Sequence, residues 1–224
     1  MKEKFPEISL IVAMTESGLI GKDGGLPWKS SLDMKWFREH TVGWPVIVGR
    51  RTAEGMGKKF PLQNRPCVVV SSKVDSTFGA ILPGIRELAF NSLYTACSYF
   101  SNFDKVFIAG GAKVYRSAFE AVWVSGEPMV DSVIKTVFPN ECILDYERLE
   151  NDTVPVMGDK YLDKDTLSRI KEPQFSLAES QYYEYLPKKN LYYDHKKDEV
   201  IALKDGDTLF PWVRFEIWKR QKSK

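Results

Sequence analysis

Histidine is scarce in this chain. His40 and His195 are its two copies, and they lie far apart. No ligand spacing surrounds either one, which argues against a zinc site and leaves no metal expected. Cysteine is nearly as sparse. Cys67, Cys97 and Cys142 are widely separated and odd in number. They suit free thiols in a reducing cytoplasm better than a disulfide framework. An excess of one charge is missing too: 32 basic side chains face 30 acidic ones, for a net +2. That balance gives no reason to expect nucleic acid, and the basic tail from Lys219 reads as a solvated end. Long apolar runs are also absent. Ile8 to Met14 is the longest near the N-terminus, roughly a third of the ~20 residues a spanning helix needs. The preceding "MKEKFPE" mixes acids with its bases, and no small-residue cleavage site follows a long apolar core. A secretory signal and a membrane partner are therefore not expected, and the cytoplasm is the expected compartment.

What is present reads as an ordinary globular core. The 224 residues are 43% hydrophobic and 28% charged, enough for one core with insertions. "ISLIVAM" is β-branched and almost wholly apolar, the pattern of a central strand buried on both faces. "PVIVG", "PCVVVSS" and "KVFIAGG" repeat that pattern. Helices are expected between and after them, at Ser31–Thr41, Thr52–Lys58, Leu93–Phe100 and Lys113–Val122. Strands alternating with helices predict an α/β fold: a single domain over 1–224, with a central, mostly parallel mixed sheet flanked by helices. "DSVIKTVF" reads as a further strand. "FSLAESQYYEYL" and "WVRFEIWKR" read as an antiparallel pair at the sheet edge. Between them "EVIAL", "KDGD" and "TLF" spell a hairpin. No repeat or linker divides the chain.

Three strand ends turn polar or glycine-rich: Gly49-Arg50-Arg51-Thr52, Ser71-Ser72-Lys73 and Gly110-Gly111-Ala112-Lys113. Open α/β sheets bind ligands beyond the carboxyl ends of their strands. Two of these turns lead into helices, whose first amides favour anions. A double glycine admits close approach of a phosphate. Arg50, Arg51, Lys73 and Lys113 add positive charge to the same crevice. A phosphorylated nucleotide fits these features; so does a set of ordinary strand ends with solvated cations. The three-glycine dinucleotide fingerprint is absent, so a standard Rossmann domain is not supported.

The stretch "GLPWKSSLDMKWFREHT" poses a different question. Asp33 falls in the first turn of the expected helix, where a carboxylate offsets the helix dipole by about 0.3–1 kcal/mol. Yet its neighbours at helical spacing are Met34, Trp36 and Phe37, an apolar face with no basic partner. A carboxylate on such a face needs a hydrogen-bonding partner or pays for its burial. An apolar slot with one acid suits a planar, nitrogen-rich heterocycle whose amidine-like edge offers two N–H donors.

These residues carry a resemblance to the dihydrofolate reductase family. It runs without a gap from Ile8 to Thr52, resumes at "RPCVVVSS" and "VFIAGGAKVY", and ends at "RFEIWKR". L-P-W, an acid on the next helix, V-G-R-x-T and G-G-x-x-V-Y in this order are specific. The resemblance implies reduction of dihydrofolate to tetrahydrofolate with NADPH, feeding one-carbon and thymidylate metabolism, in an antifolate-target enzyme. It implies that Asp33 is the ionisable residue of the pterin site and that Trp28 lies in the loop closing over the nicotinamide. Ile11, Ala13, Met34, Phe37 and Met56 are implied to line the substrate pocket. Arg65 would grip the folate carboxylate, and Thr136 would bond both the acid and the pterin amino group. On the cofactor side it implies Ala13, Ile20, Gly21 and Gly25. Gly49, Arg50, Arg51 and Thr52, with Ser71, Ser72 and Lys73, would hold the adenosine and its 2′-phosphate. Gly110, Gly111, Ala112, Lys113, Val114 and Tyr115 would carry the pyrophosphate. A monomer is expected, with the insertions as the route to any oligomer.

The chain also departs from the family. "FPLQNR", from Phe60 to Arg65, is about two residues longer than usual. Ala109 stands where a larger aliphatic residue is common. Three segments compete for the family's G-D-T-x-F-P element: "NDTVP" at Asn151, "GDKYL" at Gly158 and "GDTLFP" at Gly206. The last fits best by letters, but chain order favours Asp159. Insertions are expected around 138–170 and 186–211. Two rivals stand beside this reading. One is a reductase of a riboflavin-pathway pyrimidine on the same fold, which is not expected to combine L-P-W with Asp33. The other is a binding protein that kept the fold and lost turnover.

Overall fold

The computed structural model describes residues 5–75, 79–143, 153–171, 175–186, 189 and 191–221. In chain order its first strands are β1 (Glu7–Thr15), β2 (Leu19–Gly21), β3 (Val46–Gly49), β4 (Cys67–Val70), β5 (Ala80–Ile81), β6 (Leu88–Phe90), β7 (Lys105–Ile108) and β8 (Ser132–Phe138). After them come β9 (Glu141–Ile143), β10 (Thr153–Pro155), β11 (Lys160–Tyr161), β12 (Phe175–Leu186), β13 (Leu191–Asp194), β14 (Glu199–Ala202) and β15 (Trp212–Arg220). The α-helices are α1 (Ser31–Thr41), α2 (Arg50–Met56), α3 (Leu93–Tyr99), α4 (Ala112–Glu120) and α5 (Lys164–Lys171).

One large sheet carries the strand order β14-β13-β12-β15-β8-β1-β7-β3-β4-β6-β5. From β8 to β6 neighbouring strands run parallel. The flanks are antiparallel. The expected β1 sits in the middle, parallel to β7 and β8 and buried along nearly its whole length. Its apolar, β-branched sequence suits a strand packed on both faces. Ile8, Leu10, Val12 and Met14 join the core on one face, whereas Ile11 packs on the other.

α1 starts where its capping chemistry places it. Ser30 is the N-cap, and its hydroxyl accepts the Asp33 amide at 3.2 Å. α2 begins two residues before the expected Thr52, because Gly49 is already its N-cap; a 3-10 turn over Gly57–Lys59 completes the segment. Arg50 and Arg51 therefore belong to the helix rather than to the strand end.

Two expectations at the C-terminal end need correction. The antiparallel pair β12–β15 forms as expected, but it is not the edge of the sheet. The segment after β12 extends the sheet by β13 and β14, and β14 is the edge. The hairpin is also different: it joins "LYYD" to "EVIA" through His195–Asp198, not "EVIAL" to "TLF". Asp194 fixes that turn, its carboxylate accepting the amides of Lys196 (2.9 Å) and Lys197 (3.2 Å), and Asp198 takes φ 55. The "KDGD" stretch turns as well, with Gly206 at φ 78. Its outlet, however, leads Phe210 into the core instead of into a strand.

Candidate active site

Strand order brings the three polar strand ends together, because β7, β3 and β4 are neighbours and parallel. The Gly49 amide donates to the Gly110 carbonyl at 2.6 Å. A Cβ at Gly49 would lie 2.8 Å from Val114, and one at Gly111 would lie 3.0 Å from the Thr52 hydroxyl. Glycine thus keeps these backbones close. Gly110 sits at φ 109 and Gly111 caps α4 without a side chain. Ala112 and Lys113 open α4. Its Tyr115 donates a 2.7 Å hydrogen bond to the Ile11 carbonyl, and burial pushes that phenol's pKa up, keeping it a donor. Arg51, Ser72 and Lys73 are exposed at the rim, whereas Ser71 is buried. Arg50 forms an ion pair with Glu54 one turn along α2.

Asp33 lies on the opposite side of β1 in the strand order from this cradle, against β8. It is 5% exposed, and the Thr136 hydroxyl donates to its carboxylate at 2.6 Å. Thr136 stands beside Ala13 on β1 and Phe215 on β15. Ile11 is buried two residues before Ala13 on β1. Trp36 and Phe37 are half-buried, the Trp36 ring lying 4.6 Å from Phe215 and tilted against it. Burial pushes the Asp33 carboxyl up to about 6, and the Thr136 hydrogen bond offsets part of that rise. No basic side chain pairs with it among the described residues. At neutral pH it is therefore a largely ionised, desolvated acceptor.

The apolar face differs in one member from the expected set. Met34 is 53% exposed, so Leu32 and Trp36 flank Asp33 in the protein interior while Met34 turns outward. The helical rotation of one residue past Asp33 accounts for this. Met56 is half-buried on the neighbouring helix. Arg65 stands at the far end of α1. It donates to the Thr41 hydroxyl (2.9 Å) and the Gln63 carbonyl (3.0 Å), and its guanidinium lies over the Phe37 ring. The longer loop therefore still delivers Arg65 to the α1 side.

The loop between β1 and α1 folds back over the site. Ile20 and Gly21 lie in β2, which pairs with β11. Asp159 accepts the Asp23 amide at 3.2 Å, and its own amide donates to the Gly21 carbonyl at 3.0 Å. Asp159, the segment that chain order favours, thus touches this loop; in "NDTVP", Asn151 and Asp152 lie outside the described residues. Gly25 closes the loop tip, exchanging backbone hydrogen bonds with Lys22. Trp28 is buried, 4.7 Å from Phe138, and its indole nitrogen has no acceptor among the described residues.

A family model described as dihydrofolate reductase matches residues 7–151. The chain belongs to the dihydrofolate reductase family. It is 37% identical over 108 residues to the dihydrofolate reductase of Haemophilus influenzae, covering 48% of this chain and 62% of that protein. With the Bacillus subtilis protein the identity is 38% over 112 residues, covering 50% and 62%. The type 3 dihydrofolate reductase of Salmonella typhimurium is 33% identical over 150 residues, covering 66% and 88%. The chain thus spans less than two thirds of the length of the first two relatives. A solved dihydrofolate reductase from Enterococcus faecalis, complexed with NADP(H) and RAB-propyl, matches with TM-score 0.64 at 22% identity, over 96% of this chain and 97% of that one. That likeness is one of fold.

Two features of this dihydrofolate reductase family member escaped the sequence reading. The first is Gly55. An added Cβ there would lie 1.9 Å from the Gly24 carbonyl, so the loop tip rests directly on α2. No periodicity marks such a contact. Gly55→Ala is expected to favour α2 intrinsically by about 1 kcal/mol, yet to push the loop off it. The expected result is a lower melting temperature, because the displaced Gly24 backbone outweighs the helix gain, with NADPH binding weakened several-fold. Fluorescence titration and a thermal melt check both halves. The second is the contact of the "GDTLFP" segment with the start of α1, which its letters do not announce.

Proposed function

We propose that this protein reduces dihydrofolate to tetrahydrofolate with NADPH, serving one-carbon and thymidylate metabolism in the cytoplasm. The observation that supports it most is the buried Asp33–Thr136 pair in an apolar slot beside a glycine-lined cradle. Asp33 accepts two N–H donors of the pterin edge in a fork, which fixes the ring and favours the protonated heterocycle. Thr136 orients the carboxylate and reaches the pterin amino group. Ile11, Ala13, Phe37 and Met56 supply apolar walls, with Met34 at the mouth, and Arg65 holds the folate carboxylate. Trp28 and the Ile20–Gly25 loop exclude bulk water while the indole N–H orients the proton donor.

On the other side, NADPH fits the open turns at Gly49, Gly110 and Gly111, where side chains would intrude. Ala112 to Tyr115 at the start of α4 carry the pyrophosphate, and Thr52 with Ser71 and Ser72 hold the adenosine. Bound NADPH supplies the hydride; the chain supplies orientation and a dry pocket. Arg51 and Lys73, with Arg50 shared with Glu54, meet the 2′-phosphate. The partners are these small molecules. Neither nucleic acid nor a membrane is needed, and among the described residues no helix is long and apolar enough to cross one. The protein works as a monomer in this reading.

The cationic rim gives a direct test. Steady-state kinetics with dihydrofolate are expected to favour NADPH over NADH by at least about tenfold, the value of one charge-assisted phosphate contact. Equal efficiency with the two cofactors would remove the phosphate role from Arg50, Arg51 and Lys73. Turnover of the riboflavin-pathway pyrimidine in place of dihydrofolate would favour the rival enzyme.

A further inference from the structure

The loop from Lys204 to Pro211 belongs to the insertion between β12 and β15, outside the region matched by the family model. It nevertheless grips Lys29 and Ser31, on either side of the Ser30 cap that joins Trp28 to α1. The Asp207 carboxylate accepts the Ser31 amide at 3.1 Å through one oxygen. Its other oxygen accepts the Ser31 hydroxyl at 2.5 Å and the Lys204 amide at 3.3 Å. The Thr208 hydroxyl accepts the Lys29 amide at 3.1 Å, and the Thr208 amide donates to the Lys29 carbonyl at 2.7 Å. Lys29 Nζ donates to the Asp205 carbonyl at 2.8 Å. Phe210 is fully buried, 4.5 Å from Phe138 and 6.2 Å from Trp28.

We propose that Asp207 is a positioning residue for the reaction, acting through Ser31 to fix the first turn of α1 and so the direction of Asp33. This rests on the function proposed above. The first amides of a helix need acceptors. Here Ser30 serves the Asp33 amide and Asp207 serves the Ser31 amide. Asp33 stands at the third helical position, where an acid can reach back to the N-cap amide, but its carboxylate accepts the Thr136 hydroxyl instead. Thr208 ties down the residue next to Trp28 from the same loop. Both ends of the Trp28–Asp33 segment are thus held by a part of the chain remote in sequence.

The test uses the full chain with Asp207→Ala and Asp207→Asn. Asparagine keeps an oxygen for the Ser31 amide; alanine keeps none. The expected result is a fall in kcat of roughly tenfold for Asp207→Ala, with KM for NADPH unchanged and most of the loss recovered in Asp207→Asn. An alanine variant that turns over like wild type overturns the proposal. So does a loss confined to KM, or one that asparagine does not relieve. An inactive wild type would sink the proposed function instead. The positioning role is then judged from the Asp33 titration, followed by NMR of its labelled carboxyl carbon. The facing groups are the Thr136 hydroxyl and the neutral Tyr115 phenol. A midpoint that drops in Asp207→Ala and returns in Asp207→Asn supports it; a midpoint unchanged in both overturns it.

Discussion

Asp33→Asn is expected to lower dihydrofolate turnover at neutral pH by roughly 10²–10⁴-fold while leaving NADPH binding intact. Asparagine matches aspartate in shape and can still accept the Thr136 hydroxyl, so the packing survives. It carries no charge, so it cannot stabilise the protonated pterin. The deficit shrinks as pH falls, because the substrate then takes up its proton in solution. Wild type loses rate at high pH for the same reason. Stability moves the other way. The folded carboxyl titrates at about 6 against an ordinary 3.8. A raised carboxyl pKa means stability that is fully present below the ordinary value and lost as pH rises through the folded one. The loss for the ligand-free protein is about 3 kcal/mol. The asparagine variant escapes it, offset by burying an amide. It should therefore melt no lower than wild type at neutral pH. A helix-end charge would behave oppositely: a lower melt by up to about 1 kcal/mol with turnover spared. Thermal melts and pH–rate profiles of both proteins separate the two.

Arg65→Leu is expected to weaken folate binding by about 30-fold, or ~2 kcal/mol, with NADPH affinity unchanged. The lost contact is a charge-assisted arginine–carboxylate pair. Lysine at this position restores only part of it, because an ammonium lacks the planar fork. Arg65 is half-buried and already braced by Thr41 and Gln63, so its guanidinium is held on the α1 side before any ligand arrives. Titrations of each ligand against both variants measure the effect. An unchanged folate dissociation constant would assign the carboxylate to another cation of the longer loop, Lys58 or Lys59.

Legibility in the sequence followed the range of the interactions. β1 and its neighbours could be read because a strand buried on both faces is almost wholly apolar, and "ISLIVAM" has only Ser9 to the contrary, satisfied by the Ser132 hydroxyl. Asp33 stood out because a carboxylate at helical spacing from Trp36 and Phe37 conflicts with simple amphipathicity. The glycine turns were visible, although the residues alone left ordinary strand ends equally open. Met34 faces outward although it adjoins Asp33, because successive helix residues are rotated by about 100° whatever their polarity. The 199–210 hairpin failed for a different reason. "KDGD" has turn chemistry, but so does "HKKD", and Asp194 capping two amides decided which turn joins strands. The grip of Asp207 on Ser31 and the contact of Gly55 with Gly24 are tertiary. Neither leaves a periodic trace, even though "GDTLFP" was noticed by its letters.

The central claim is that Asp33 and the glycine cradle serve one reaction, hydride transfer from NADPH to a protonated pterin. NADPH carrying deuterium on both C4 positions of the nicotinamide ring tests it most directly, with dihydrofolate as acceptor and the folate product read by mass spectrometry. The account predicts tetrahydrofolate carrying one deuterium per molecule, formed by wild type and all but lost in Asp33→Asn. Tetrahydrofolate without deuterium, or NADPH consumption with no folate product, would contradict it.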